Sequence, residues 1–120
     1  MKKKTLVVGA SDSPSRYSYH AINRLIANDH EVEAIGSRAG EIGSVKIFEG
    51  KKKVNDIDTV TIYLNKRNQE KYYDYIVNLK PRRVLFNPGT ENVEFEALLS
   101  SKNISHERVC TLVLLSINQY

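Results

Sequence analysis

Residues 6–22, LVVGASDSPSRYSYHAI, pass from an apolar run through one glycine into small hydroxyl residues and then into a helical pattern. Lys4 to Gly9, KTLVVG, is a short run of aliphatic and β-branched residues stopped by glycine, as a strand buried on both faces reads. From Ser18 the periodicity changes. Ala21, Ile22, Leu25 and Ile26 recur at helical spacing, Ser18 is placed to cap the start, and Asn28-Asp29 to mark the end. Strand, tight turn and helix make the opening unit of an alternating chain.

The alternation continues to the end of the sequence. Glu31 to Gly36 (EVEAIG) is the second strand, and Val45 to Gly50 (VKIFEG) a short extra one. Ile57 to Leu64 (IDTVTIYL) is the clearest strand, because threonines and Tyr63 join Val60, Ile62 and Leu64, all good strand formers. Asn65 can cap a helix whose Tyr72, Tyr75, Ile76 and Leu79 form an apolar stripe ending before Pro81. RRVLFN is another strand, and GTENVEFEALLSSKN opens a helix at Thr90 or Glu91 with Phe95, Leu98 and Leu99 on one face. ISHE is a short last strand, and VCTLVLLSIN, with Thr111 as cap, a short closing helix. Strands separated by helices pair in parallel through right-handed crossovers. The expected architecture is a single doubly wound parallel α/β sheet of about five strands with helices on both faces, in the order 3-2-1-4-5. Residues 1–120 read as one domain.

Composition narrows the function classes. A chain of 120 residues with 41% hydrophobic content supports one core. Its apolar runs are far shorter than the roughly 20 residues a bilayer requires, and the Lys-rich start precedes too short an apolar segment for a signal peptide. A cytoplasmic protein without membrane association is expected. The lone Cys110 forms no internal disulfide, and His20, His30 and His106 lack metal-ligand spacing, so no metal is expected.

In doubly wound sheets, ligands bind outside the carboxyl ends of the strands where the strand order reverses, here between the first strand and the Ile57 to Leu64 strand. The loops at that end are Ala10 to Tyr17, Ser37 to Glu41, Asn65 to Arg67, Asn87 to Glu91 and the region near Cys110. The clusters Lys2-Lys3-Lys4, Lys51-Lys52-Lys53 and Arg82-Arg83 precede strands and are expected at the opposite edge. The net charge of +4 then says little about the ligand, and no nucleic-acid partner is expected.

Against the dinucleotide fingerprint G-x-G-x-x-G, this segment reads Gly9-Ala10-Ser11-Asp12-Ser13-Pro14, with one glycine of three. Gly9 allows a tight turn, Ser11, Ser13 and Ser18 offer hydroxyls, Arg16 adds a cation, and the helix start supplies free N–H groups and a positive dipole end. The same residues also suit a plain loop, in which Ser13-Pro14 turns and Ser18 only caps. After the second strand, an NAD site carries a carboxylate for the ribose hydroxyls; this chain has Gly36-Ser37-Arg38. Arg38 suits a phosphate-bearing ribose, as in NADP or coenzyme A, or is a solvated loop arginine.

Taken together, VVGASDSPSRYSYHAI, AIGSR, IDTVTIYLN, VLFNPGTEN and VCTLVLL resemble the small stand-alone CoA-binding domain proteins, which are Rossmann-like and similar to the CoA-binding domain of the succinyl-CoA synthetase α subunit. The resemblance spans Lys3 to Tyr120. It implies that Gly9, Ala10, Ser11, Ser13, Arg16, Ser18 and Tyr19 cradle the coenzyme's phosphates. It also implies that Gly36, Ser37 and Arg38 lie by the ribose and its 3'-phosphate. Many members have lysine at the last of these positions. Tyr63, Leu64 and Asn65 then flank the adenine or its ribose, and Asn87, Pro88 and Gly89 approach the pantetheine arm. The synthetases carry a catalytic histidine in a later domain that this sequence does not include, so the resemblance implies no ligase activity.

No catalytic residue is assigned. Cys110, His20 and Glu91 lie near the site but show no pairing of nucleophile and base in the sequence. Cys110 reads as a buried inert thiol, or alternatively as a thiol close to that of the coenzyme. His20 either touches a phosphate or faces solvent, Glu91 reads as a helix-start carboxylate, and Tyr72, Tyr73 and Tyr75 read as packing residues. Three functions stay open. One is a non-catalytic module binding coenzyme A or an acyl-CoA as sensor or carrier. Another is an NADP-type oxidoreductase component, and the third is a degenerate scaffold for a protein partner. A homodimer paired through a surface helix is compatible with each.

Overall fold

The computed structural model describes residues 2–120, and within them the alternation becomes one mostly parallel sheet with helices on both faces. The strands are β1 (Thr5–Val8), β2 (Val32–Gly36), β3 (Gly40–Ile42), β4 (Val45–Glu49), β5 (Thr59–Ile62), β6 (Arg83–Phe86) and β7 (Ser105–Arg108). They lie in the order β3-β4-β2-β1-β5-β6-β7. All neighbours are parallel except β3 and β4. The expected 3-2-1-4-5 core is present as β4-β2-β1-β5-β6 with β1 central, but the sheet has seven strands rather than about five. The segment Ser37 to Glu41, expected as loop, contains most of the missed edge strand. Gly43-Ser44 closes a two-residue hairpin that pairs Ile42 with Val45, and Gly43 takes the positive φ such turns need.

β1 and β5 are buried along their whole length, which is why they read as continuous runs instead of alternating ones. Helices α1 (Tyr17–Ala27) and α5 (Thr111–Ser116) cover one face, where Ile22, Leu25 and Leu115 pack on Val7, Ala34 and Ile47. Helices α3 (Tyr73–Leu79) and α4 (Val93–Ser101) cover the other, where Ile76, Phe95 and Leu99 pack on Leu6, Val60 and Phe86. The tyrosines pack as expected: Tyr72 is buried, and Tyr73 stacks on Phe95 with ring centres 4.4 Å apart.

Three local expectations change. The helix after Asn65 is broken into α2 (Lys66–Gln69), a 3-10 turn (Glu70–Tyr72) and α3. Asn65 does cap α2 through the Asn68 N–H, but Gln69 turns inward and hydrogen-bonds the carbonyls of Leu64 and Thr90. The helix expected from Thr90 or Glu91 begins at Val93, because Asn92 is the residue whose side chain caps it, accepting from the Phe95 N–H. Lys51-Lys52-Lys53 does not start at the far edge. Gly50 donates to the Gly36 carbonyl at the carboxyl end of β2, so the lysines begin there, and Lys52 runs back to pair with Glu33. No helix among the described residues is long and apolar enough to cross a membrane.

Candidate functional site

β1 ends at Val8, and Gly9 turns the chain with φ +90°. A Cβ there would stand 2.9 Å from the Tyr63 backbone and 3.0 Å from the Leu64 side chain, so the turn nestles against the segment leaving β5. On its other side, Gly9 and Ala10 both donate to the Ile35 carbonyl of β2. The first loop is thus clamped between the ends of β2 and β5, where the strand order reverses. It opens into a cleft of about 860 Å³.

The cleft brings together most of the residues singled out from the sequence. Gly9, Ala10, Ser11, Ser13, Arg16 and Ser18 line it from the first loop and α1, Ser37 and Arg38 from beyond β2, Tyr63 and Asn65 from beyond β5, and Pro88 and Gly89 from beyond β6. Asp12, Ser15, Tyr17, Ala39 and Thr90 line it as well; they fall in loops expected at this end of the sheet but were not singled out as site residues. All five adjoin residues that were, so adjacency in the loops was the available signal; Thr90 belongs to the same NPGTEN run as Pro88 and Gly89.

The helix start differs from the expected cap. Arg16 occupies the cap position with no side-chain hydrogen bond to the helix, and Ser18 lies inside the first turn, its hydroxyl accepting from the Ser11 N–H at 3.1 Å. Ser11 in turn accepts from the Ser13 N–H, and the hydroxyls of Ser13 and Ser15 meet at 2.9 Å. These serines shape the loop, and no side-chain acceptor caps the positive end of α1. An anion in the cleft would meet that end directly, together with the guanidinium groups of Arg16 and Arg38.

Tyr63 forms a wall between the cleft and α5. Burial, more than any other influence, pushes its phenol far above the ordinary tyrosine range, and the neighbouring Cys110 adds to this. Its hydroxyl is buried without a hydrogen-bond partner among the described residues. The phenol is neutral at any physiological pH, so Tyr63 contributes a ring surface and no charge.

The decisive comparison is with protein families: the pattern of the CoA binding domain matches residues 3–116. The chain belongs to the CoA-binding domain family. Membership supports coenzyme A binding in general, in agreement with the resemblance seen in the sequence. A crystal structure of an uncharacterized protein is 43% identical, with a TM-score of 0.95 over 100% of this chain and 99% of that one. A protein from Thermus thermophilus, 18% identical, superimposes with a TM-score of 0.81 over 98% of this chain and 91% of its own. A hypothetical protein from Pyrococcus horikoshii, also 18% identical, gives 0.82 over 98% and 84%. The last two share the fold alone. No curated protein matches the chain.

Within this CoA-binding domain, four residues singled out from the sequence do not line the cleft. Asn87 is buried, its amide donating to the Thr61 hydroxyl at 2.7 Å and the Ile62 carbonyl at 2.9 Å while its oxygen accepts from the Thr111 N–H at 2.8 Å. All of its side-chain polar atoms are thereby engaged inside the protein. Gly36 is buried behind the loop, where a Cβ would stand 2.2 Å from the Ala10 carbonyl oxygen. Tyr19 packs into the α1 face of the core, and Leu64 packs against the opposite core while buttressing Gly9. These residues position the lining.

The nucleophile and base candidates are dispersed. The His20 ring bonds the Pro14 carbonyl at 2.8 Å on the outer side of the first loop. Cys110 is half-buried at the start of α5, outside the cleft lining, which corrects the buried reading of this thiol. Glu91 folds back to accept from the Gly89 N–H at 3.0 and 3.3 Å, and so does not act as the expected first-turn carboxylate.

Proposed function

We propose that this CoA-binding domain holds coenzyme A or an acyl-CoA in the cleft at the carboxyl ends of β1 and β5, as a non-catalytic sensor or carrier module. The observation that carries this reading is the open positive end of α1 facing a cleft that also holds Arg16 and Arg38. In this reading Gly9, Ala10, Ser11, Ser13, Arg16 and Ser18 surround the diphosphate. Ser37 and Arg38 take the 3'-phosphate, Tyr63 and Asn65 flank the adenosine, and Pro88 and Gly89 border the pantetheine arm. Tyr19, Gly36, Leu64 and Asn87 hold these segments in place without touching the ligand.

Calorimetric titration with coenzyme A, with dephospho-coenzyme A as the matched ligand and salt held fixed because the contacts are ionic, tests the reading. Saturable binding that weakens without the 3'-phosphate is expected. Stronger binding of NADP than of coenzyme A would transfer the cleft to a nicotinamide nucleotide. No binding of any of the three to nucleotide-free protein would favour a scaffold that recognises another protein.

A further inference from the structure

The cleft contains a carboxylate that an anion-binding role leaves unexplained. Asp12 lines it from the first loop. Among the described residues it has no ion-pair partner within 4.0 Å and no side-chain hydrogen bond, although Arg16 and Arg38 line the same cleft. Its position is nevertheless specific. A Cβ built on Gly40 would stand 2.6 Å from Asp12 Oδ2 and 2.9 Å from its Cγ, so the Asp12 side chain occupies the space that a side chain at Gly40 would take. Gly40 opens β3, directly after the Ser37-Arg38-Ala39 segment that leaves β2.

That place has a known chemical demand. In doubly wound sheets a carboxylate just beyond the second strand accepts hydrogen bonds from ribose hydroxyls. This chain has none in that segment of sequence, and the fold brings one across from the first loop. A bare carboxylate among phosphate-binding groups weakens phosphate binding by repulsion unless the ligand presents it with a donor. The nearest donor of a coenzyme A whose 3'-phosphate is held by Arg38 is the adjoining hydroxyl of the same ribose.

Resting on the coenzyme A reading above, we infer that Asp12, seated on Gly40, is a specificity-determining residue that accepts a hydrogen bond from the ribose 2'-hydroxyl. Arg38 and Asp12 together then read a ribose carrying one phosphate and one free hydroxyl. The assignment also gives Gly40 a role: the three atoms a side chain there would meet first all belong to the Asp12 side chain, so Gly40→Ala displaces the carboxylate at little cost to the fold.

The test is calorimetric titration of wild type, Asp12→Ala, Asp12→Asn, Gly40→Ala and the Asp12→Ala/Gly40→Ala double variant with coenzyme A and with 2'-deoxy-coenzyme A. Melting temperatures serve as the folding control. Asp12→Ala and Gly40→Ala are each expected to bind coenzyme A about tenfold or more weakly, the scale of one hydrogen bond to a charged acceptor, and Asp12→Asn, which keeps a neutral acceptor, to lose less. The double variant should be no weaker than Asp12→Ala, and on the 2'-deoxy ligand, which offers the carboxylate no donor, every variant should bind as well as wild type or more tightly. Unchanged or tighter binding of coenzyme A by Asp12→Ala overturns the assignment, tighter binding being the signature of relieved repulsion. A loss that persists with the 2'-deoxy ligand, or additive losses in the double variant, overturns it equally. Wild type that binds no coenzyme A fails the underlying reading instead, and the assignment falls with it.

Discussion

Arg38 and Gly36 stand two residues apart and do opposite work. Arg38 is exposed at the cleft, while Gly36 is buried behind it. Arg38→Ala is expected to weaken coenzyme A by tenfold or so, the worth of one charge-assisted hydrogen bond, and dephospho-coenzyme A much less. Equal losses in the two titrations would show that this guanidinium does not read the 3'-phosphate. Gly36→Ala acts on the fold, since its Cβ would fall 2.2 Å from the Ala10 carbonyl oxygen and the obstacle is backbone that cannot swing aside. A loss of about 2 kcal/mol or more is expected, at the upper part of the overpacking range, and urea denaturation measures it. Unchanged stability would mean that the β2 end and the first loop separate freely.

Between the elements, polar side chains set the loop positions. Asn87, at the end of β6, ties β5 to the start of α5 through Thr61, Ile62 and Thr111, and the Thr61 and Thr111 hydroxyls close the group at 2.8 Å. On the other side of the sheet, Gln69 joins the Leu64 and Thr90 carbonyls, and Asn92 donates to Gln69 and to the Tyr73 hydroxyl while capping α4. Asn87→Ala leaves a buried N–H, a hydroxyl and a carbonyl short of partners and is expected to cost about 3 kcal/mol. Asn92→Ala removes a cap and strands Gln69, for about 2 kcal/mol. Both are read from denaturation midpoints. A combined Asn87→Ala/Asn92→Ala variant should show nearly additive losses, because the two groups share no hydrogen-bond partner; strong coupling would show that the two groups form one network.

For the molecule as a whole, acid is the weak side. His30 is held below the ordinary histidine range, chiefly by burial and then by Lys2 and Lys3, and its neutral Nδ1 accepts from the Lys3 N–H at 2.9 Å. The unfolded chain therefore takes up this proton more readily than the folded one, and stability falls as pH drops from about 6.5 toward the folded value. Burial pushes the Asp58 carboxyl up, but hydrogen bonds from Arg82 and Thr59 and the charges of Arg82 and Arg83 more than reverse this, leaving it below the usual range. Glu96 is lowered mainly by its hydrogen bonds from Arg108. For these depressed acids the stabilising contribution is present above the unfolded carboxylate range and is lost as pH falls through the folded value. All three groups act in one direction but in two windows, so denaturation midpoints should drop below about pH 6.5 as His30 takes up its proton and drop again below about pH 4.5 as Glu96 and Asp58 do. His30→Gln should flatten the upper part of that drop, near pH 6; an unchanged profile would remove His30 from the account.

The strand and helix alternation, the central place of β1, the switch point and most of the cleft lining were legible in the amino-acid order alone, because buried parallel strands and amphipathic helices leave runs and periods in the chain. Asn65 declared its cap for the same local reason. Strand β3 was not read, since three residues show no period. Only the tertiary structure decided which polar residues face the cleft and which face inward. Asn87 and Pro88 are neighbours in sequence, yet the first is locked behind the loop and the second lines it. Asp12 meets Gly40 across 28 positions of sequence, and Ser18 bonds back to Ser11 where local reading made it a cap. Side-chain direction in loops comes from contacts between segments distant in the chain, which leave no periodic trace in it.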